Sequence, residues 1–464
     1  MSDVADLLAE LRRAPLSRAD ALIRALGLRS QSALSRLVTR AGAQVVPVGK
    51  ARARRYAAAR DVRGLGAALP VYRVDTEGAL TAIAALAPIA PEGCVVDDAK
   101  ALPRWMRGTA GDGVFGGLPV FVADLRPQGF LGRTFARTHA GLGLADNPDQ
   151  WPDDDVLVAL ARAGEDGVGD LVVGQESARR LYALRAEAPP PIADPQRPAA
   201  YAGLATAAID GVLPGSSAGG EQPKFGALVA GASGPRHVLV KFSPEGDAPA
   251  AQRWRDLLVC EHLALSTLRA AGFPTVHSEL VAGPSRLFLE SERFDRVGAH
   301  GRLAVVTLAA MNGEYAGVAP AAGHWPEAAA KLAADGWLLP ATLAQVRALH
   351  WFGRFIANTD MHFGNLSFLP QVDGTLALAP VYDMLPMVYA PVGAELPPRR
   401  FAVPVPEPGQ ESAWSAAGEL AVSYWTDVAG EPRLSRAIRA TATENAATVH
   451  AALTRFPVAG AIAN

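Results

Sequence analysis

The chain has 464 residues, of which 50% are apolar and 19% are charged, so its length and composition exclude a disordered protein and allow two or three folded domains. We expect no membrane partner and no secretory signal, because no run of about 18 apolar residues occurs and the first residues are polar and acidic. The two cysteines, Cys94 and Cys260, are far apart, which argues against a disulfide framework or a zinc site and favours a cytoplasmic location.

The net charge of -2 conceals a basic head, residues 1–63, which holds 13 Lys and Arg against five Asp and Glu, while the remainder holds 31 against 41. The pattern predicts three helices, the third bounded by Ser30 and Gly42, and then a hairpin that turns at Gly49–Lys50. This succession is typical of a winged helix-turn-helix, whose third helix enters the major groove of double-stranded DNA. A helical protein-interaction module with a solvated basic face is the alternative. The predicted DNA contacts are Ser32, Ser35, Arg36, Arg40, Lys50, Arg52 and Arg54.

A middle domain, residues 64–186, follows. It is rich in Gly, Pro and Ala, and its short strand-like runs predict an α+β subdomain but no chemistry. Within it, the run Asp153–Asp155 is interpreted as the solvated start of a helix rather than as a metal site. Residues 187–198 have the Pro-rich composition of a linker. The C-terminal core, residues 187–464, contains the motifs that indicate a reaction.

The first of these motifs is the loop LPGSSAGGEQPKF, residues 213–225. The main chain at Gly219 and Gly220 can approach phosphate oxygens closely, because glycine carries no Cβ, and Lys224 can add a positive charge. Flexible surface loops have the same composition, which is the alternative for this segment on its own.

The second motif is a strand, HVLVKFS, that carries Lys241 and precedes a long amphipathic helix. Glu261 falls in the middle of the apolar stripe of that helix, where a carboxylate is costly unless a cation meets it. We therefore expect an ion pair between Lys241 and Glu261, the arrangement with which protein kinases hold ATP phosphates. A purely structural ion pair is the alternative. The next apolar strand, LFLESERFDR, ends in Glu292, Arg293, Phe294 and Asp295. This pattern is typical of a hinge between two lobes, and an ordinary strand end is the alternative.

The third motif, FIANTDMHFGNLSFL, ends a helix and begins a hairpin that is followed by VYDMLP. Pairing the strands about Val372–Asp373 places Asn365 opposite Pro380, so that Asp360, Asn365 and Asp383 meet at one edge. A kinase needs this set, because one Asp accepts the proton of the substrate hydroxyl while an Asn and a second Asp hold Mg²⁺. A local turn in a polar loop is the alternative for each position taken alone.

Together, the segments NTDMHFGNLSF, VYDMLP, ERFDR and VLVKFS and the Ser/Gly loop before Lys224 resemble the HipA-type Ser/Thr kinases, the toxin halves of bacterial toxin–antitoxin pairs. LPVFVADLRPQGFLGR in the middle domain is similar to that family's N-terminal subdomain, so the resemblance covers residues 64–464. It implies an α+β fold in which a two-lobed, protein-kinase-like core follows the winged helix-turn-helix. The N-terminal lobe is expected to end near residue 310, and the mostly helical C-terminal lobe to span residues 311–464.

The resemblance also implies residue roles, with ATP and Mg²⁺ as cofactors. Asp360 is expected to act as the catalytic base with His362 beside the nucleotide, and Asn365 and Asp383 are expected to bind Mg²⁺. The expected ATP contacts are Lys241, Glu261, Glu292, Phe294, Gly219, Gly220 and Lys224.

An inhibitory autophosphorylation is implied as well, on Ser216 or Ser217, because the spacings to the glycines and to Lys224 point to different serines. The fused head departs from the common family plan and resembles a single-chain branch of HipH/YjjJ type, which leaves open whether a separate antitoxin exists and whether the chain is toxic. The expected substrate is a protein such as a translation factor or an aminoacyl-tRNA synthetase, and a homodimer is left open. Two alternatives are a nucleotide-sensing transcriptional regulator with a catalytically silent body and a small-molecule kinase, against which the head argues.

Overall fold

The structure, a computed structural model, describes residues 3–50, 53–187, 189–211, 222–319 and 324–456. The helices and strands are described below in three parts, in chain order. No helix in the described ranges is both long enough and apolar enough to cross a membrane.

The head folds as three helices followed by a hairpin. Ser30 caps the third helix by accepting a hydrogen bond from the Ala33 N–H at 3.3 Å, and Gly42 ends it with a positive φ of 55°. Val48 pairs with Arg55, so the paired strands end further apart in sequence than the predicted Gly49–Lys50 turn requires. Residues 51–52 lie outside the described residues. The elements are α1 (Val4–Arg13), β1 (Ser17–Arg18), α2 (Ala19–Ala25), α3 (Gln31–Ala41), β2 (Val45–Val48) and β3 (Arg55–Ala58).

The middle domain is built on a five-stranded antiparallel sheet in the order β7-β6-β5-β4-β8. Its strands are β4 (Leu69–Val74), β5 (Leu80–Pro88), β6 (Cys94–Val96), β7 (Val114–Phe115) and β8 (Leu171–Val173). Its helices are α4 (Val120–Ala123), α5 (Gly129–Thr138), α6 (Asp153–Ala163) and α7 (Gln175–Ala186). Helix α6 is buried along most of its length, so it forms the centre of the domain.

The head is docked on the middle domain through main-chain and apolar contacts. The Ala90 N–H donates to the Ala58 carbonyl at 2.9 Å, so the last head strand continues into contact with the sheet of the middle domain. An apolar cluster closes the same interface, and its buried members are Val48, Ala57, Ile89 and Val95.

The acidic first turn of α6 completes this interface. The prediction that Asp153–Asp155 starts a helix is confirmed, because α6 begins at Asp153. The carboxylates are not merely solvated, since arginines from the head and from the middle domain pair with all three. The positive end of the helix dipole favours acidic side chains at this position, and the arginines balance their charge. The ion pairs are Arg126–Asp153 at 3.1 Å, Arg63–Asp155 at 2.8 Å and a short contact between Arg60 and Asp154.

The C-terminal core has two lobes. The N-terminal lobe carries a four-stranded antiparallel sheet in the order β11-β12-β10-β9, and the C-terminal lobe is mostly helical. The first elements are α8 (Arg197–Ile209), β9 (Lys224–Val229), β10 (Arg236–Phe242), α9 (Pro249–Ala270), β11 (Ser278–Ala282), β12 (Leu287–Glu292), β13 (Arg296–Val297), β14 (Gly301–Arg302), β15 (Val306–Thr307) and α10 (Leu308–Met311). The C-terminal lobe continues with α11 (Trp325–Ala334), α12 (Pro340–Phe355), β16 (Ser367–Pro370), β17 (Leu376–Leu378), α13 (Glu411–Gly430) and α14 (Arg436–Arg455).

The segment after β12 is tied to the middle domain by buried charges. Asp295 is paired with Arg293 at 2.8 Å and with Arg296 at 2.6 Å, and it accepts the Gly169 N–H at 2.9 Å. Arg296 also reaches Asp166 of the middle domain at 3.0 Å. The middle domain therefore holds the segment that follows β12.

Because the apolar cluster joins the head to the middle domain, truncating one of its members is expected to destabilise the protein. We expect Val48→Ala to lower the free energy of unfolding by about 2 kcal/mol, through lost burial and an incompletely filled cavity. The control is Val372→Ala at a fully exposed hairpin tip, where a change within about 0.5 kcal/mol is expected. Urea denaturation measures the free energy of unfolding of both variants. Equal losses in Val48→Ala and Val372→Ala would contradict the described docking.

Candidate active site

One cavity of about 1220 Å³ is lined by both lobes of the C-terminal core and by the middle domain. It brings together most of the residues that the sequence predicts for the kinase site. The four loop residues Ser216, Ser217, Gly219 and Gly220 lie outside the described residues. The predicted site residues that line the cavity are Lys224, Lys241, Glu261, Glu292, Phe294, Asp360, His362, Asn365 and Asp383.

The predicted ion pair between strand β10 and helix α9 is present. The Lys241 Nζ lies 2.7 Å from Glu261 Oε1 and 2.8 Å from Oε2. It also makes a short contact with Asp383 Oδ1, from the segment after β17. Lys241 is 5% exposed and Glu261 is 1% exposed, so one buried ammonium joins two carboxylates from different lobes.

Burial and these charges set the ionisation of the group. Burial disfavours the Lys241 ammonium, but the Asp383 and Glu261 carboxylates outweigh it and raise the Lys241 pKa above its usual value. Burial also disfavours the charged form of Glu261, which raises its pKa, and the charge of Lys241 offsets part of that rise. Although burial raises the Asp383 pKa, the charges of Lys241 and Lys224 lower it overall. The Asp383 carboxylate is therefore held ionised.

Lys224 lies directly across from Lys241 in the pairing of β9 with β10, so two lysines occupy neighbouring positions at the cavity wall. Lys224 is 1% exposed, and its burial lowers its pKa to about 8. Like charges opposite each other destabilise a strand pair unless anions compensate them. The Asp383 and Glu261 carboxylates supply such compensation at this end of the cavity.

The 358–365 loop, which follows α12, is held by its own amide side chains. The Asp360 N–H donates to Asn358 Oδ1 at 3.0 Å, and Asn365 Nδ2 donates to the Asp360 main-chain carbonyl at 2.8 Å. His362 Nδ1 accepts the Gly364 N–H at 3.1 Å. These contacts leave the Asp360 carboxylate facing the solvent of the cavity, where partial burial raises its pKa and the Asp383 carboxylate adds to the rise.

The hairpin that follows has a register one residue away from the predicted one. Phe368 pairs with Leu378, so continuing the ladder places Asn365 opposite Val381 and not opposite Pro380. The turn centres on Asp373 alone, since the Gln371 N–H donates to the Thr375 carbonyl across it at 2.8 Å. Asp383 still follows at the same end of the hairpin, so the one-residue shift leaves the predicted convergence in place.

Two side chains that sequence reasoning missed also belong to the cavity wall. The Tyr382 hydroxyl donates to the Gly364 carbonyl at 2.8 Å, and its ring stacks on Phe294 with the centroids 6.0 Å apart. Asp124 of the middle domain reaches the wall from the segment VFVADL. Tyr382 could have been suspected from its place beside Asp383, whereas no local signal distinguishes Asp124.

Asp383 itself has a φ of 55°, in the left-handed region.

The oxygen donors of the cavity suit a hard cation held jointly with phosphate. Asp360, Asn365 and Asp383 are carboxylate and amide groups of the kind that bind Mg²⁺. In the described ranges, no three His, Cys, Asp or Glu side chains form a complete metal site. Since Mg²⁺ is usually bound by one or two carboxylates and completed by water and substrate phosphates, this sparse set fits it.

The buried ion pair permits a stability test. Lys241→Met leaves the Glu261 carboxylate buried without its cation, so we expect the free energy of unfolding to fall by about 3–5 kcal/mol. Combining Lys241→Met with Glu261→Leu also removes the buried Glu261 charge and should recover part of that loss, because Asp383 keeps only the charge of Lys224 nearby. Arg24→Met, which breaks an exposed ion pair with Asp20, serves as control and should cost less than about 1 kcal/mol. A Lys241→Met variant as stable as this control in urea would contradict the described burial.

Known proteins match nearly the whole chain. Residues 65–182 match the family described as the YjjJ-like toxin, middle domain, and residues 216–453 match the HipA-like C-terminal domain. Toxin YjjJ of Escherichia coli (strain K12) is 40% identical over 449 residues, which cover 96% of each chain. The HipA chain of the Shewanella oneidensis MR-1 complex of HipA, HipB and operator DNA has a similar fold, with a TM-score of 0.54 and 15% identity over 84% of this chain and 97% of that chain. The chain therefore belongs to the HipA-like family, in its YjjJ-like branch.

Proposed function

We propose that this protein is a Ser/Thr protein kinase that transfers the γ-phosphoryl group of ATP to a hydroxyl group of another protein and to its own loop. The observation that carries the proposal is the buried Lys241–Glu261 pair in contact with Asp383, in one cavity with Asp360 and Asn365. Protein kinases use such a set to position phosphates and to orient the attacking hydroxyl.

The proposed chemistry gives each side chain one task. Glu261 fixes the Lys241 ammonium, which together with Lys224 binds phosphate oxygens. The Asp360 carboxylate accepts the proton as the substrate oxygen forms its bond to the γ-phosphorus and the bond from that phosphorus to the bridging oxygen of ADP breaks. The raised pKa of Asp360 makes it a better proton acceptor than an ordinary aspartate.

The adenine of the nucleotide would lie on one side of Lys224 and Lys241, and the metal would lie on the other. Glu292, the last residue of β12, and Phe294, two residues later, lie on the proposed adenine side. The Glu292 carboxylate is paired with Arg236 at 3.3 Å. Mg²⁺ bound by Asn365 and Asp383 would neutralise the charge that develops on the phosphates. His362 lies in the loop between Asp360 and Asn365, beside the proposed nucleotide.

The loop residues Ser216 and Ser217 are the proposed sites of self-modification. They precede Lys224, which lines the cavity. A phosphoserine adds a charge of about -1.5 to -2, so its repulsion of the triphosphate should inhibit the enzyme. The resemblance to the HipA family supports this part of the proposal, and it also supports a toxin whose substrate is a translation factor or an aminoacyl-tRNA synthetase.

The head is proposed to be a winged helix-turn-helix that binds double-stranded DNA. Helix α3 buries Leu34 and Leu37 and exposes its polar and basic face, as a helix that enters the major groove requires. Arg52 lies outside the described residues. The exposed residues proposed to meet DNA are Ser32, Ser35, Arg36, Arg40, Lys50 and Arg54.

Asp360→Asn tests the kinase. The hydrogen bonds that involve Asp360 use its main-chain groups, so the substitution removes the carboxylate charge and leaves the loop intact. We expect the rate of phosphate transfer from labelled ATP to fall by about 10²–10⁴-fold, with ATP affinity largely unchanged. Asp373→Asn at the hairpin turn is the matched control and should retain wild-type activity.

Mass spectrometry of the wild type after incubation with MgATP locates the phosphate. Modification of Ser216 or Ser217 that is absent from the Asp360→Asn variant is the expected result. An Asp360→Asn variant within a few-fold of wild type would remove Asp360 from its proposed role. If the wild type binds ATP without transferring phosphate, the nucleotide-sensing regulator replaces the kinase.

The full chain is the proper subject of the DNA test, because the head buries apolar surface against the middle domain. If about four phosphates are neutralised, the logarithm of the binding constant should fall with the logarithm of salt concentration at a slope near -3.6. Replacing Arg36 and Arg40 by Gln should make that slope shallower by about 1.8, whereas Arg433→Gln, in an ion pair of the C-terminal lobe, should leave it unchanged. Fluorescence anisotropy with duplex DNA measures the slope, and a flat salt dependence would reject DNA binding by the head.

A further inference from the structure

The middle domain supplies part of the wall of the cavity, through Ala123, Asp124, Gln128 and Val168. Asp124 directly follows the short helix α4, whose residues Val120–Val122 are buried in the core of the domain. The Asp124 N–H donates to the Val120 carbonyl at 3.2 Å. The carboxylate is thus fixed relative to the middle domain while it faces the C-terminal core.

Asp124 binds both hydrogen-bond donors of a single residue in that core. Its Oδ2 accepts the Thr307 N–H at 2.8 Å, and its Oδ1 accepts the Thr307 hydroxyl in a short contact. The same hydroxyl oxygen accepts the Ala310 N–H at 3.1 Å and so caps α10. Burial raises the Asp124 pKa to about 6, although both bonds from Thr307 lower it. The carboxylate therefore fixes the start of α10, where Ala309 and Ala310 line the cavity.

From Thr307, contacts lead directly to the 358–365 loop. Thr307 pairs with Ser367 in the ladder between β15 and β16, and the Leu308 N–H donates to the Leu366 carbonyl at 2.8 Å. The Ser367 hydroxyl lies 2.7 Å from the Tyr382 hydroxyl. Because Tyr382 donates its own proton to the Gly364 carbonyl, Ser367 is the donor in that contact. Asp124 is therefore connected to the loop that carries Asp360 and to the residue before Asp383.

We propose that Asp124 is a positioning residue for phosphate transfer, so that the middle domain is an integral part of the catalytic unit and not only a connector to the head. This proposal rests on the proposed kinase activity. Asp124 acts through Thr307 and the β15–β16 ladder on the placement of the 358–365 loop. Lys241 and the adenine side lie on the N-terminal lobe, so Asp124 affects the rate of transfer more than the affinity for ATP.

The test compares Asp124→Ala and Asp124→Asn with Asp97→Ala in the full chain. Asp97 is a matched control because it also accepts a main-chain N–H within the middle domain, from Ala85. We expect Asp124→Ala to lower kcat about 10-fold or more, since small misplacements of catalytic groups have effects of this size, while the Kd for ATP stays within about threefold of wild type. Asp124→Asn keeps one oxygen acceptor, so its kcat should lie between those of Asp124→Ala and the wild type.

Hydrogen exchange provides a readout that does not depend on activity. Amide exchange of Thr307–Met311 and of residues 363–367 should be faster in Asp124→Ala than in Asp97→Ala. Values of kcat and exchange equal to those of the Asp97→Ala control overturn the proposal. If the wild type transfers no phosphate, the kinase proposal fails on its own. The role of Asp124 in phosphate transfer then fails with it. Exchange still decides the structural link from Asp124 to the 358–365 loop, because faster exchange at residues 363–367 supports that link and unchanged exchange overturns it.

Discussion

The buried ammonium of Lys241 constrains the relative placement of both lobes. Removing a charge from water costs several kcal/mol, and that cost is offset only when carboxylates approach at hydrogen-bond distance. Lys241 lies on an inner strand of the N-terminal lobe, Glu261 reaches it from α9, and Asp383 reaches it from the C-terminal lobe. Helix α9, strand β10 and the segment after β17 must therefore meet at one point, so that both carboxylates can neutralise the ammonium. The cavity is the space left beside that point.

Charge pairing also determines how the middle domain joins its neighbours. The first turn of α6 binds arginines of the head, and the segment just after its last turn supplies Asp166 and Gly169 to Arg296 and Asp295. A single buried helix thus lies between the head and the segment that follows β12. Since these pairs are more enclosed than ordinary surface ion pairs, they restrict movement of the three parts more strongly than exposed pairs would.

Local patterns predicted the parts of the site that depend on short stretches of chain. Glu261 stands out because a carboxylate in an apolar stripe requires a cation, and the hairpin indicates that Asn365 and Asp383 share an edge. The one-residue error in the hairpin arose because the turn centres on one residue, a detail that composition does not reveal. Asp124 was missed because its partner Thr307 is 183 positions away, and no periodicity records such a contact. The arginine partners of the acidic run of α6 were missed for the same reason, since Arg60 is 94 positions from Asp154.

The left-handed backbone at Asp383 limits which residues can occupy that position. Aspartate and asparagine tolerate this conformation better than other residues with a Cβ, whereas alanine is strained by it. The fold therefore selects for a short side chain with a polar oxygen before any metal or lysine acts on it. Exchange of Asp383 for asparagine changes the charge while the main chain keeps its shape. Exchange for alanine changes the charge and strains the main chain at once, so only the asparagine variant isolates the contribution of the carboxylate.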